Sequence, residues 1–218
     1  MQYPLISEYV DAIRSAEDNF DKLNGLRPVL DNSGNPVMSS GNFAVVFKMK
    51  DVKTGKLYAV KCFTREQEGR AEAYKQISEA ISNIDKSSYL LSVTYYEKEL
   101  FVDSTQTDET EFPVLLMDWV DGLSLDAYTN KISDNKIKLE QLADNFQELV
   151  CWLLMQPFAH GDLKPDNILV KDDGSIILLD YDGMYVPSMA GQVSRENGTP
   201  FYKHPLMKKT DFNSHIDD

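Results

Sequence analysis

The segment HGDLKPDNILV, residues 160–170, is the part of this chain that decides its fold. Asp162 and Asn167 stand five residues apart in a loop that Pro165 keeps from being helical, and the loop leads directly into a strand-like run. Such a loop can aim several polar groups at one point. Phosphoryl transfer requires a carboxylate that orients the attacking hydroxyl and oxygen ligands for Mg²⁺. Asp162 suits the first role and Asn167 the second, and Lys164 can neutralise charge on the transferred group.

A second group of acidic residues follows the apolar run IILL in the segment IILLDYDGMYVP, residues 176–187. Asp180 comes at the end of that predicted strand, where a buried scaffold presents a carboxylate, so it is the natural principal metal ligand. Asp182 is either a second ligand or an acid in a turn. Each segment alone has about even odds of being an ordinary loop. The two together, 18 residues apart and separated by a strand–turn–strand pattern, favour one site.

The rest of the chain divides into a strand-rich first part and a helix-rich second part. Hydrophobic periodicity predicts helices at 6–16, 65–84 and 139–155 and strands at 43–49, 57–63, 88–97, 99–103, 112–120, 167–171 and 176–180, with a hairpin turn at 53–56. The first 120 residues therefore indicate a mostly antiparallel sheet with one embedded helix, and the predicted class is α+β.

These motifs resemble the protein kinase superfamily, and the resemblance runs from about residue 37 to the C-terminus. In that family the catalytic loop reads His-Arg-Asp-Leu-Lys-x-x-Asn, and a later Asp-Phe-Gly supplies the magnesium-binding acid. The resemblance implies that Asp162 is the catalytic base and Lys164 the phosphate-contacting lysine. It also implies that Asn167 and Asp180 are the metal ligands, with ATP and Mg²⁺ as cofactors.

The resemblance also assigns the residues that hold the nucleotide phosphates. LYAVKCF looks like the strand with the nucleotide lysine, which makes Lys61 the residue on the α- and β-phosphates. The family pairs this lysine with a glutamate on the following helix; Glu79 fits the usual separation better than Glu72, and either can serve. SSGNFAVVF resembles the glycine-rich loop, and its matching positions are Ser39, Gly41, Ala44 and the downstream valine Val46.

The segment VLLMDWVDG resembles the fifth strand and the hinge. Met117 is then expected to line the adenine pocket, with backbone groups of Asp118 and Val120 bonding adenine. The implied organisation is a two-lobe kinase-like fold with an N-terminal extension at 1–36, an N-terminal lobe at 37–120, and a mainly helical, incomplete C-terminal lobe at 121–218.

Three departures from the family pattern shape the expectations. Gly161 stands where many kinases have arginine, which removes the usual coupling of the catalytic loop to a phosphorylated activation loop. Leu206 replaces a glutamate after Pro205. The chain ends at Asp218, near the start of the large helices of the C-terminal lobe, which implies a truncated fragment or an unusually minimal kinase. With its non-arginine catalytic loop, the chain resembles a bacterial-type Ser/Thr protein-kinase-like domain. Without those helices, apolar surface of the 139–155 helix and of the activation segment is expected to be exposed unless a partner or a second copy covers it. Oligomerisation or lowered stability is the expected consequence.

Composition sets the remaining expectations. The chain has 22 Lys and Arg against 35 Asp and Glu, and its formal charge of −13 argues against nucleic acid or an anionic membrane as partner. No signal peptide or membrane span is evident, so a cytoplasmic location is expected. The expected activity is an ATP- and Mg²⁺-dependent Ser/Thr protein kinase, with a small-molecule hydroxyl as the other acceptor considered. The alternative is a pseudokinase, a nucleotide-binding regulatory module without turnover.

Overall fold

Two units make up the fold in the computed structural model, which describes residues 2–41, 43–84, 88–196 and 198–217. The first unit comprises Met1–Ala71 and Val93–Trp119, and the second comprises Glu72–Ser92 and Val120–Asp218. The predicted α+β class is confirmed, since an antiparallel sheet dominates the first unit and most of the helical residues of the second lie in three helices.

The first unit is built on a six-stranded antiparallel sheet with the order β1-β3-β4-β6-β5, in which β2 pairs with β3. Its strands are β1 (Leu26–Pro28), β2 (Met38–Ser40), β3 (Ala44–Asp51), β4 (Leu57–Phe63), β5 (Val93–Phe101) and β6 (Glu111–Asp118). β4 has the bounds that the sequence predicted, and the turn predicted at 53–56 joins it to β3. In that turn Asp51 Oδ1 accepts hydrogen bonds from the amides of Lys53 and Thr54.

The prediction of separate strands at 88–97 and 99–103 was wrong. One strand, β5, runs through both segments, with an irregular register between Tyr96 and Leu100. Residues 88–92 lie in the second unit instead, where the Tyr89 carbonyl accepts from the Leu178 amide at 2.8 Å. The backbone groups of this segment are therefore engaged outside the sheet, which periodicity alone cannot indicate.

A short N-terminal helix, α1 (Ile6–Arg14), packs against one face of the sheet and is followed by α2 (Ala16–Asn19). Side chains alternate between the two faces of a strand, so Val60 and Cys62 of β4 point to the face opposite Lys61. Tyr9 and Ile13 of α1 are fully buried with them in one core. Each such buried side chain contributes roughly 1.5–3 kcal/mol. The N-terminal helix is thus an integral part of this unit.

Glu8 ties α1 to the segment that joins β5 and β6. Its carboxylate accepts hydrogen bonds from the Thr105 amide at 2.8 Å and from the hydroxyls of Thr105 and Ser104 at 2.7 and 2.8 Å. It also accepts from the Leu5 amide at 2.9 Å. These bonds, with that of the Thr105 amide the largest cause, lower the pKa of Glu8 to about 2.

We expect Glu8→Gln to lower the melting temperature at pH 7, because the ionised carboxylate is the form that these donors favour. Since the folded pKa is depressed, the stabilisation is fully present above the unfolded pKa of roughly 4.3. It is lost as the pH falls through the folded value of about 2. Thermal unfolding of both proteins between pH 7 and pH 2.5 measures the difference, which should shrink below pH 4. Asp11→Asn, at an exposed position on the same helix, is the control; an equal pH dependence of the two variants contradicts the prediction.

The second unit contains α3 (Arg70–Ser82) from Glu72 onward, α4 (Leu125–Lys131), α5 (Lys136–Leu154) and a three-stranded sheet. The order of that sheet is β7-β8-β9, with strands β7 (Leu123–Ser124), β8 (Ile168–Val170) and β9 (Ile176–Leu178). The helix predicted from residue 65 begins only at Arg70, since Gly69 directly before it has a φ of +73°. In the described part of the chain, every helix is too short or too polar to cross a membrane.

Large apolar side chains are exposed at the end of α5 and in the last described segment. Leu154 and Met155 are 59% and 75% exposed, and Leu206 is 78% exposed. Exposed apolar surface was expected at this helix. The partner or second copy expected to cover it stays a prediction.

Candidate active site

The loop at 160–170 is held in the second unit by contacts at its start. His160 is 1% exposed, and its Nε2 faces the Leu179 carbonyl at 2.8 Å. A carbonyl oxygen only accepts, so Nε2 carries the ring hydrogen. The amides of His160 and Gly161 donate to the two carboxylate oxygens of Asp217, at 2.5 and 2.8 Å. The start of this loop is therefore fixed through the His160 ring and through the backbone amides of His160 and Gly161.

Asp162 lies at the centre of a hydrogen-bonded cluster. Its Oδ1 accepts from the Thr199 amide at 2.7 Å, and its Oδ2 accepts from Asn167 Nδ2 at 3.0 Å. Lys164 Nζ lies 3.6 Å from Oδ2, and both side chains are mostly shielded, with 26% and 17% exposure for Lys164 and Asp162. The structure therefore brings together the predicted base, the predicted phosphate-contacting lysine and one predicted metal ligand.

The orientation of the Asn167 amide follows from its partners. Nδ2 also lies 2.9 Å from the Asp162 carbonyl oxygen, which can only accept, so the atom that faces it must be the nitrogen. Asn167 is 4% exposed and sits at the end of a one-turn helix, Pro165–Asn167. Because Asp162 takes its donor end, the amide oxygen is the end suited to a metal ion.

The β8–β9 hairpin places Asn167 and Asp180 at the same end of the small sheet. Ile168 pairs with Leu178, and the Leu179 amide donates to the Asn167 carbonyl at 2.8 Å. Asp180 directly follows, with a φ of +65°. A left-handed conformation costs an L-residue roughly 1–2 kcal/mol, and such strain persists only where the surroundings impose it. The backbone at Asp180 is thus set by its neighbours.

An Asn167 oxygen and an Asp180 carboxylate fit Mg²⁺, which is usually bound through one or two carboxylates, waters and substrate phosphates. Within the described residues no group of three His, Cys, Asp or Glu side chains forms a ready protein cage for a metal ion. Asp182, which the sequence left open as second ligand or turn acid, accepts a hydrogen bond from the hydroxyl of Tyr74.

In the first unit, the strand register gathers the residues predicted to hold the nucleotide phosphates. Residues directly opposite each other in an antiparallel pair share a face. Ser39 lies opposite Val46, and Val46 lies opposite Lys61. The same face carries Ala44, two residues before Val46, and Met117, which is opposite Ala59. It is the face that α1 does not cover.

Lys61 and Gly41, two of the residues predicted to hold the nucleotide phosphates, have contacts within the first unit. Lys61 is 7% exposed, and its Nζ lies 5.7 Å from the centre of the Phe63 ring. The Gly41 amide donates to the Ala44 carbonyl at 2.9 Å and closes the turn between β2 and β3. Gly41 has no Cβ, so the backbone at this position can approach a ligand closely.

In the predicted site, Asp118 and Val120, at and just after the end of β6, contact adenine through their backbone groups. The Asp118 side chain pairs instead with Lys56, at 2.7 Å, and this hydrogen bond raises the pKa of Lys56. The Trp119 amide donates to the Leu57 carbonyl at 3.1 Å. Val120 begins the next segment of the second unit. The adenine contacts of Asp118 and Val120 stay predictions.

Both candidate glutamates lie on the exposed side of α3. Glu72 Oε1 accepts from Gln76 Nε2 at 3.2 Å on the same helix. Glu79 belongs to the second unit and Lys61 to the first, and their pairing stays a prediction. The buried face of α3 presents Tyr74 instead.

Two features of the cluster around Asp162 are absent from the sequence interpretation. The Thr199 contact uses a backbone amide, which leaves no signature in side-chain chemistry. Asp217 ends a segment, residues 213–217, that consists of bends and turns. Its contacts with the amides of His160 and Gly161 give it a structural function that only the fold reveals.

The family model described as the protein kinase domain matches residues 35–217, most of the chain. This chain belongs to the protein kinase domain family. The matched region contains every predicted site residue, whereas α1 and α2 precede it.

Curated relatives carry protein kinase names. CBL-interacting serine/threonine-protein kinase 20 of Arabidopsis thaliana is 23% identical over 175 residues, which cover 78% of this chain and 37% of the relative. Serine/threonine-protein kinase ROP18 of Toxoplasma gondii is 27% identical over 198 residues, which cover 77% of this chain and 35% of the relative. The chain thus spans about a third of the length of these relatives. Both are eukaryotic proteins, and the bacterial-type assignment stays a prediction.

Proposed function

We propose that this chain is a Ser/Thr protein kinase that transfers the γ-phosphoryl group of ATP to a hydroxyl. The observation that carries the proposal is the cluster in which the Asp162 carboxylate is held by Thr199, Asn167 and Lys164. A carboxylate fixed in this way can accept the proton of an attacking hydroxyl without having to find its position during the reaction.

Each remaining group has one role in the proposal. Lys164 neutralises charge on the transferred group, and Lys61 holds the α- and β-phosphates. Asn167 and Asp180 hold Mg²⁺ through oxygen atoms. Bound with ATP, that ion neutralises the charge that develops on the phosphates. The serine or threonine acceptor is supported by the names of the relatives and by Lys164 in the catalytic loop, since Lys164 has its counterpart in the family motif.

A nucleotide-binding module without turnover is the second candidate function. It is favoured by the segment that resembles the glycine-rich loop, which keeps Gly41 but has Ser39 and Ala44 at the other two glycine positions of the family. In this case the nucleotide binds but no hydroxyl is phosphorylated, so Asp162 has no proton to accept.

The test of the proposed function combines a binding and a transfer measurement. We expect Mg²⁺–ATP to raise the melting temperature more than ATP with EDTA does. A ligand at 100 times its Kd stabilises the folded state by about 2.7 kcal/mol. Asp180→Asn should remove the increment that depends on Mg²⁺, and asparagine tolerates the left-handed backbone of this position.

Transfer of label from γ-labelled ATP to the chain itself or to a generic protein acceptor then separates the two functions. Label transfer that requires Mg²⁺ supports the kinase. Stabilisation by nucleotide without transfer supports the regulatory module. Absence of stabilisation by any nucleotide contradicts both.

A further inference from the structure

A partly buried hydrogen bond joins α3 to the turn that follows Asp180. The Tyr74 hydroxyl donates to Oδ1 of Asp182, across 108 residues of sequence. Tyr74 is 2% exposed, and Asp182 lies in the middle of the one-turn helix Tyr181–Gly183. Both residues belong to the second unit. The helix is therefore connected to the loop that carries the predicted principal metal ligand.

The chemistry of the pair makes this connection a strong one. A hydrogen bond to a carboxylate is about twice as strong as one between neutral groups. Removing the Asp182 carboxylate takes this bond from the buried Tyr74 hydroxyl, which costs more than the bond itself contributes. The pair is therefore suited to hold one conformation of the turn.

The neighbouring side chain is anchored from another direction. The Tyr181 ring is 2% exposed, and its hydroxyl donates to the Leu178 carbonyl at 2.9 Å. The same hydroxyl accepts from the Leu91 amide at 2.8 Å. The two residues that follow Asp180 are thus each fixed by a tyrosine hydroxyl. This arrangement accounts for the strained φ of +65° at Asp180, because the residues after it leave its backbone little freedom.

The sequence around the bond is unusual for the family. Counted from Asp180, the third position of the family's Asp-Phe-Gly triplet is occupied by Asp182, whose side chain can accept a hydrogen bond where glycine has none. On α3, the residue that meets this acceptor is a buried tyrosine, while Glu72 and Glu79 are exposed.

We propose that Tyr74 is a positioning residue for the metal site. Through Asp182 it fixes the turn that presents the Asp180 carboxylate to Mg²⁺. The proposal rests on the proposed function, since it concerns the same metal site. Tyr74 itself touches neither the nucleotide nor the ion in this arrangement; it acts through Asp182.

Tyr74→Phe removes the hydroxyl and keeps the ring. In nucleotide-free protein, we expect faster amide hydrogen exchange at residues 180–184, because the turn opens more often. Groups that orient metal ligands typically change metal affinity by about 10–100-fold when they are removed. We therefore expect the Mg²⁺ concentration needed for half-maximal nucleotide binding to rise by about tenfold, with binding in EDTA unchanged.

Tyr9→Phe is the matched control. Tyr9 also donates a buried hydroxyl hydrogen bond, to the Phe63 carbonyl at 2.7 Å in the first unit. Its removal should lower stability and leave both the exchange at 180–184 and the Mg²⁺ dependence unchanged. An equal response of the two variants would mean that Tyr74 has only a general structural role, and it overturns the proposal.

Variants of the acceptor complete the test. Asp182→Asn keeps an oxygen acceptor but loses the charge, so it should fall between the wild type and Asp182→Ala, whereas Asp182→Ala should match Tyr74→Phe. The double variant with both Tyr74→Phe and Asp182→Ala should be no worse than Asp182→Ala alone, and additive effects overturn the proposal. If the wild type binds no nucleotide, the proposed function fails. If it binds with a Mg²⁺ dependence that Tyr74→Phe leaves unchanged, only the positioning role fails.

Discussion

Asp162→Asn is expected to reduce phosphoryl transfer by about 10²–10⁴-fold, the range that a positioned general base contributes. Asparagine has the size of aspartate and an oxygen that can still accept from the Thr199 amide, but it cannot take up a proton from the attacking hydroxyl. Single-turnover transfer from γ-labelled ATP measures the loss. Nucleotide affinity measured by titration in EDTA should stay unchanged, because the predicted nucleotide contacts come from other residues.

The matched control for this variant lies in the same loop. Asp166→Asn makes the same chemical change at an exposed position, four residues further along. We expect it to transfer phosphoryl groups at the wild-type rate. Equal rates for Asp162→Asn and Asp166→Asn would contradict the role of Asp162 as the base, even if the chain proves to be an active kinase.

The cluster around Asp162 could be predicted from the sequence because its members are local. Asp162, Lys164 and Asn167 lie within six positions, and a loop that enters a strand must bring such residues close together. Asp180 is at one end of a short hairpin whose other end follows Asn167, so the register of two strands suffices to join them. Strand alternation likewise separates Lys61 from Val60 and Cys62.

Contacts between distant segments could not be predicted in this way. Tyr74 meets Asp182 across 108 residues, and its periodicity on α3 indicates only that it is buried. Thr199 contributes a backbone amide, a group that every residue except proline has. The family resemblance pointed to Glu72 and Glu79 on α3. Which residues form the buried face of that helix depends on its packing, and no single motif encodes that packing.

The fold shows the same division between local and distant information. The N-terminal helix was predicted from its own periodicity, but its position against the core face of the sheet depends on apolar side chains from five strands. The segment at 88–92 has strand-like composition, yet its backbone bonds to Leu178 and Tyr181 in the second unit. Propensity describes what a segment can form, and the available partners decide what it does form.

Gly161 illustrates how a structure changes the interpretation of a single residue. In the sequence it is a missing arginine, which indicates a missing mode of control. In the structure it has a φ of +81°, and a Cβ there would overlap the carbonyl oxygen of Gly183 and lie 2.9 Å from its carbonyl carbon. Glycine at this position thus lets the backbone of the catalytic loop and that of the turn after Asp180 meet directly.

Gly161→Ala is therefore expected to destabilise the protein by about 2–5 kcal/mol, as the sum of the left-handed backbone penalty and overpacking. Gly191→Ala separates the two contributions. Gly191 has the same φ of +81°, but a Cβ there would meet nothing within 4 Å. That control should cost only about 1–2 kcal/mol. Unfolding in urea at neutral pH measures both values. If the two substitutions lower the stability equally, the contact with Gly183 is not the reason for glycine at position 161. The backbone angle alone then explains why this position has no arginine.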